Sequence, residues 1–103
     1  MRNQHSSLLL KAASAFCTPL YVYDLDKITL QYSKLTTAFA KHPTRFFYAC
    51  KALSNINILK HLLGLGASLD CVSIYEVMLG LASGFSPEHI LFTPNCVDFK
   101  EIV

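Results

Sequence analysis

Side chains that can take part in chemistry lie at or near the ends of three short apolar runs of this sequence. Lys51 follows FFYAC, Asp70 lies within ASLDCVS, and Asn95 with Cys96 follows HILFTP. A lysine at the end of an apolar run is unusual, because burying an ammonium costs several kcal/mol unless the charge is paired or neutralised. A lysine amine that has lost its proton is a nucleophile. Lys51 is therefore the first candidate for a catalytic residue.

The residues between these positions predict an alternation of strands and helices. Strands are predicted at FFYACKAL, ASLDCVS and HILFTPNCV. Ser54 can cap a helix that Gly64 and Gly66 close. Ser73–Glu76 has the form of a capping box for a helix that ends at Gly84. Strand and helix recur at a period of roughly 22–24 residues, near the minimum for a βα unit.

The residues before these units predict a helix, a strand and a second helix. The opening residues favour an amphipathic helix. The segment TPLYVYD, Thr18–Asp24, carries the β-branched and aromatic residues of a strand. Asp24 or Asp26 can cap the next helix, predicted from Lys27 to about Ala40 and stopped by Pro43.

The pattern as a whole predicts an α/β fold with a parallel sheet, because the strands are apolar on both faces. We favour the first part of a (β/α)8 barrel, although an open doubly wound sheet fits the pattern almost as well. In both architectures the carboxyl ends of the strands face the ligand site. We therefore expect Lys51, Asp70 with Ser73, and Asn95 with Cys96 to converge at one edge. Because the chain stops just inside a capped helix, we expect it to be part of a longer protein.

Composition excludes several classes of function. The net charge is only +2 and the basic residues are scattered, which argues against nucleic-acid binding. No apolar run approaches the roughly 18 residues of a membrane span. Lys11 interrupts the first leucines too early for a secretion signal, so a cytoplasmic protein is expected.

The cysteines and histidines favour structural roles. The four cysteines form no C-x-x-C pair, so we predict reduced thiols that pack as small hydrophobes, with no disulfide framework and no metal site. No histidine has a second metal-ligating residue four positions away, as a helical metal site would need. We predict surface positions for all of them: His5, His42, His61 and His89.

Four segments together resemble the amino-terminal part of the fold-type III pyridoxal-phosphate-dependent decarboxylases. They are TPLYVYD, FFYACKAL, GASLDCVSIYEV and ILFTPNCV, which stand in the order and at the spacing of that family. Within it, the likeness is greatest to the diaminopimelate decarboxylases. The resemblance implies that residues 1–26 belong to a second, β-rich domain, to which the predicted first strand contributes. It also implies that residues 27–103 form the first part of a (β/α)8 barrel.

The resemblance also implies roles for particular residues. Lys51 would bond covalently to C4′ of pyridoxal 5′-phosphate, and Asp70 and Glu76 would lie in the cofactor site. Each residue has a plainer interpretation. Lys51 could be a solvated loop lysine, Asp70 a carboxylate favoured by a helix dipole, and Glu76 half of a capping box. Ile74 and Tyr75 replace two glycines usual in the family.

The implied activity is the decarboxylation of meso-2,6-diaminopimelate to L-lysine and CO2 by a cytoplasmic homodimer whose active sites lie between subunits. Later barrel strands would hold the phosphate, so the 103-residue chain alone is expected to be inactive. Two alternatives remain open. One is a related decarboxylase that acts on ornithine, arginine or carboxynorspermidine. The other is a non-catalytic βα module that binds a partner through its exposed sheet edge.

Overall fold

The computed structural model describes residues 2–103 and contains one parallel sheet. The sheet has three short strands in the order β1-β2-β3, which are Phe47–Ala49, Ser68–Cys71 and Ile90–Phe92. Ala49 pairs with Asp70, and Cys71 pairs with Phe92. All three predicted strands are confirmed, each shorter than its apolar run, and the predicted parallel α/β fold is confirmed with them.

Residues 2–103 also form five α-helices. In chain order α1 to α5 they are Arg2–Phe16, Leu25–Ala38, Ile56–Gly64, Ile74–Ser83 and Phe99–Ile102. Helix α3 connects β1 to β2, and α4 connects β2 to β3. Single 3-10 turns follow β1 and precede β3, at Cys50–Ala52 and Pro87–His89. The predicted alternation of strand and helix is confirmed.

Polar side chains begin the helices largely where the sequence predicts. The Asp24 carboxylate accepts a hydrogen bond of 3.0 Å from the Lys27 N–H and caps α2. Asn55 caps α3 by accepting from the Asn57 N–H at 2.9 Å, so the predicted cap at Ser54 is wrong by one residue. Serine and asparagine are both good caps, and the sequence alone does not separate adjacent candidates.

The core lies between the sheet and the helices α3 and α4. Leu59, Leu69, Cys50, Cys71 and Phe85 form its centre. Leu69 has no exposed surface, and a Cβ built on Gly80 of α4 would lie 2.6 Å from its Cδ2 atom. The absence of a side chain at residue 80 therefore lets α4 pack closely on β2.

The strand predicted at Thr18–Asp24 is wrong in this structure. Residues 17–24 have no regular secondary structure, and Tyr21 is 90% exposed. A strand needs a neighbour that accepts and donates its backbone hydrogen bonds, and the described residues give this segment none. Helix α1 forms as predicted, but Leu8, Leu10 and Phe16 remain largely exposed on it.

The predictions for cysteines and histidines are confirmed only in part. All four cysteines are free thiols, but Cys17 and Cys96 are exposed and do not pack as small hydrophobes. His5 and His42 lie at the surface as predicted. The other two are half-buried and bonded: His61 Nε2 lies 2.8 Å from the Thr29 hydroxyl, and His89 Nδ1 lies 3.2 Å from the Ser68 hydroxyl. Among the described residues, no helix is long and apolar enough to cross a membrane.

Candidate functional site

Lys51 lies in a tight turn directly after β1. The Leu53 N–H donates to the Cys50 carbonyl at 3.2 Å and closes the turn. The Tyr48 hydroxyl, which is carried by the strand, donates to the Leu53 carbonyl at 3.2 Å. Strand and turn are thereby held together on both sides of Lys51.

The side chain of Lys51 itself is exposed, whereas Cys50 before it is buried completely. Within the described part of the chain, no carboxylate lies within 4.0 Å of the Lys51 ammonium. The apolar run therefore packs the strand and leaves the lysine at the edge of the sheet. An exposed amine on a fixed turn is accessible to a ligand.

Asp70 lies at the same edge, on the strand beside β1. It pairs with Ala49 in the register of the sheet, two residues before Lys51. Its Oδ1 atom accepts a hydrogen bond of 2.5 Å from the Thr93 hydroxyl. The Thr93 N–H also donates to the Cys71 carbonyl at 2.8 Å, which continues the pairing of β3 with β2. Asp70 is therefore held by Thr93 and forms no ion pair with Lys51.

Glu76 stabilises the start of α4. The Ser73 hydroxyl accepts from the Glu76 N–H at 3.3 Å, as a capping box requires. The Glu76 carboxylate accepts from the Val72 N–H at 2.8 Å, one residue before the position usual for such a box. The structure thus gives Glu76 a structural partner, while its predicted role at the cofactor remains a prediction.

Two buried thiols lie behind this edge. Cys50 and Cys71 follow the paired residues of β1 and β2, and neither has exposed surface. Burial, together with the nearby Cys50, Glu76 and Asp70, raises the pKa of the Cys71 thiol to about 12. Burial, followed by the charge of Glu76, also raises the pKa of Cys50. Both thiols stay protonated at neutral pH and serve as packing residues.

The third strand brings its predicted pair to the same edge. The Asn95 N–H donates to the Val72 carbonyl at 3.4 Å, so the segment after β3 lies beside the segment after β2. Cys96 is exposed, and its thiol donates to the Asn95 side-chain oxygen at 3.5 Å. Thr93 was not among the residues predicted for this edge. Its signal in the sequence is a hydroxyl residue inside the predicted third strand, and in the structure it directly follows β3.

The comparisons with known proteins identify the family. Residues 25–103 match the family described as pyridoxal-dependent decarboxylase, pyridoxal binding domain. This match covers more than half of the chain, and the chain belongs to that family. The predicted resemblance is confirmed, and the expected pyridoxal cofactor agrees with the description of the family.

Two individual relatives of the chain are diaminopimelate decarboxylases. The chain is 39% identical over 95 residues to a diaminopimelate decarboxylase from Methanothermobacter thermautotrophicus, covering 90% of this chain and 22% of the relative. It is 42% identical over 76 residues to a diaminopimelate decarboxylase from Helicobacter pylori, covering 74% of this chain and 19% of the relative. The chain thus spans about a fifth of the length of these curated relatives.

The fold of this chain is similar to that of related enzymes whose structures have been solved. The diaminopimelate decarboxylase from Helicobacter pylori complexed with L-lysine matches with a TM-score of 0.77 and 39% identity, over 82% of this chain and 22% of the other. A lysine/ornithine decarboxylase complexed with cadaverine from Vibrio vulnificus matches with a TM-score of 0.87 and 28% identity, over 96% of this chain and 27% of the other. The fold is therefore common to decarboxylases named for different substrates.

Proposed function

We propose that Lys51 binds pyridoxal 5′-phosphate in the decarboxylation of meso-2,6-diaminopimelate to L-lysine and CO2. The observation that carries this proposal is the position of Lys51. It is an exposed primary amine on a fixed turn at the carboxyl end of β1, inside the region that matches the pyridoxal-binding family. A primary amine at such an edge fits a cofactor that carries an aldehyde.

The residues around Lys51 would hold and orient the cofactor. Pyridoxal phosphate, when bound, accepts the electrons released as CO2 leaves the substrate. The bond from Tyr48 to the Leu53 carbonyl fixes the turn that carries the amine. The bond from Thr93 fixes the Asp70 carboxylate on the neighbouring strand, where its charge would act on the ring site.

The three strands are, in this proposal, the first strands of a (β/α)8 barrel, with residues 1–26 in a β-rich domain and 27–103 in the barrel. The parallel order β1-β2-β3, which follows the order of the chain, supports this arrangement. A homodimer with active sites between its subunits is part of the same proposal and rests on the family resemblance.

A related decarboxylase activity is the alternative to be tested. The fold also resembles a lysine/ornithine decarboxylase, but the higher sequence identities belong to diaminopimelate decarboxylases and support meso-diaminopimelate as the substrate. Release of CO2 from meso-diaminopimelate, L-ornithine and L-lysine by the intact, cofactor-saturated protein separates the two. Faster turnover of ornithine or lysine would contradict the preferred substrate.

The attachment of the cofactor has a direct test. Borohydride reduction of the intact protein loaded with pyridoxal phosphate should place the label on the peptide that contains Lys51. Lys60, an exposed lysine on α3, provides a matched control as Lys60→Ala, which should keep label and activity. A label on another lysine, or full activity of Lys51→Ala, would refute the role of Lys51. A protein that takes up no cofactor at all would favour the non-catalytic module.

A further inference from the structure

A second polar site lies at the opposite end of the sheet from Lys51. A cavity of about 230 Å³ opens where the strands begin, and we call it the amino-edge cavity. Its polar lining comes from the end of α2, the following loop and the starts of β2 and β3, and comprises Thr36, His42, Thr44, Arg45, Ser68 and His89. β2 separates the two ends of the sheet by roughly 10 Å, at about 3.3 Å per residue. This cavity is therefore distinct from the candidate cofactor site.

The charges of the lining favour an anion. The cavity presents one guanidinium and two imidazoles, and its lining includes no aspartate or glutamate. The Thr36 and Thr44 hydroxyls of the lining already donate to the backbone carbonyls of Ser33 and His42. Within the described residues, no carboxylate lies within 4.0 Å of the Arg45 guanidinium. A guanidinium at a concave surface without carboxylates is a group that binds phosphate and carboxylate oxygens.

One pair in this lining is already fixed. Ser68 is only 3% exposed, and its hydroxyl lies 3.2 Å from Nδ1 of His89. If the Ser68 hydroxyl donates to Nδ1, the neutral His89 ring carries its proton on Nε2. If the ring instead donates from Nδ1, the Ser68 hydroxyl still has its own proton to donate. In either arrangement the pair keeps one donor for a ligand.

Aromatic rings form the apolar wall of the cavity. Phe46 packs edge-to-face against Phe39 at 5.5 Å and against Tyr32 at 6.3 Å between ring centroids. These contacts join α2 to the residue before β1, so the spacing between α2 and the sheet is set without any ligand. A site held open in this way costs little ordering free energy when it is filled.

We propose that the amino-edge cavity binds a small oxyanion, the phosphate or carboxylate group of a metabolite. Arg45 supplies the charge, while Ser68 and His89 supply a fixed donor. The site does not depend on the proposed decarboxylation, because none of its residues lies at the carboxyl edge of the sheet.

The test uses isothermal titration of the intact protein saturated with pyridoxal phosphate, so that added anions do not fill the cofactor site. Inorganic phosphate and succinate are titrated separately. We expect one site per chain for at least one of them, and a loss of affinity of about tenfold or more in Arg45→Gln. Lys41→Gln, which removes an exposed charge outside the cavity, should bind like the unmodified protein.

Each result is decisive. Binding of phosphate alone, lost in Arg45→Gln, assigns a phosphate group. Binding of succinate alone, lost in the same way, assigns a carboxylate. Binding of both, with the same loss, supports the shared oxyanion chemistry. No binding of either anion, or binding that Arg45→Gln leaves unchanged, overturns the proposal. Arg45 is exposed, and circular dichroism would show that its replacement leaves the fold intact.

Discussion

The Thr93 hydroxyl donates a hydrogen bond of 2.5 Å to the Asp70 carboxylate, which joins the ends of β3 and β2 at the edge where Lys51 lies. The Thr93 backbone makes a second link, because its N–H donates to the Cys71 carbonyl. One residue thus holds both the strand pairing and the carboxylate. Asp70 owes its fixed position to a partner 23 residues later in the chain, and it forms no ion pair with Lys51.

The first prediction concerns the hydroxyl of Thr93. In Thr93→Val the side chain keeps its shape but loses its bond to Asp70. A hydrogen bond to a charged group contributes about 1.5–3 kcal/mol, so we expect kcat/KM for the preferred substrate to fall by about 10- to 100-fold. Thr93→Ser, which keeps the hydroxyl, should recover most of the activity. Steady-state kinetics of the intact protein would refute the role of Thr93 if the valine and serine variants behave alike.

The second prediction concerns Tyr48, which holds the turn around Lys51. Tyr48→Phe removes only the hydroxyl that donates to the Leu53 carbonyl. We expect a loss of about 0.5–1.5 kcal/mol in the free energy of unfolding, together with slower attachment of the cofactor to Lys51. Urea denaturation and the rate of cofactor incorporation measure the two effects. Tyr75→Phe is the matched control, since Tyr75 is 74% exposed and should change neither quantity.

The sequence predicted the strands and most helix ends because those features depend on nearby residues. The three strands are apolar runs bounded by turn residues, and Asp24 and Ser73 are capping types just ahead of helical patterns. The prediction of a strand at Thr18–Asp24 was wrong because β-propensity reports how a residue fits a pleated surface, and not whether a partner strand exists. The bond between Thr93 and Asp70 was missed because it depends on the register of β2 with β3, which only the folded chain defines.

The third prediction separates the two interpretations of Glu76. Its carboxylate accepts from the Val72 N–H and so stabilises the turn before α4. Glu76→Ala should therefore lower the free energy of unfolding by about 1–3 kcal/mol. Borohydride labelling of the remaining folded protein at Lys51 should stay unchanged. Glu88→Ala, at an exposed glutamate in the turn before β3, controls for the loss of charge. A fall in cofactor affinity without a loss of stability would instead support the role at the cofactor.

The last prediction concerns stability at alkaline pH. The pKa of the buried Cys71 thiol is about 12 in the folded protein, whereas its ordinary value is 9.0. The unfolded chain therefore releases this proton first as the pH rises. The stabilising contribution is fully present below about pH 9 and disappears as the pH approaches 12. The urea midpoint of the intact protein should accordingly fall across this interval.

Two cysteine variants test the contribution of Cys71. Cys71→Ala should be less stable at pH 8 but should lose less stability between pH 9 and 12. Cys96→Ala, at an exposed thiol, should lose stability with pH as steeply as the unmodified protein. Equal slopes for both variants would show that Cys71 does not contribute to the alkaline loss.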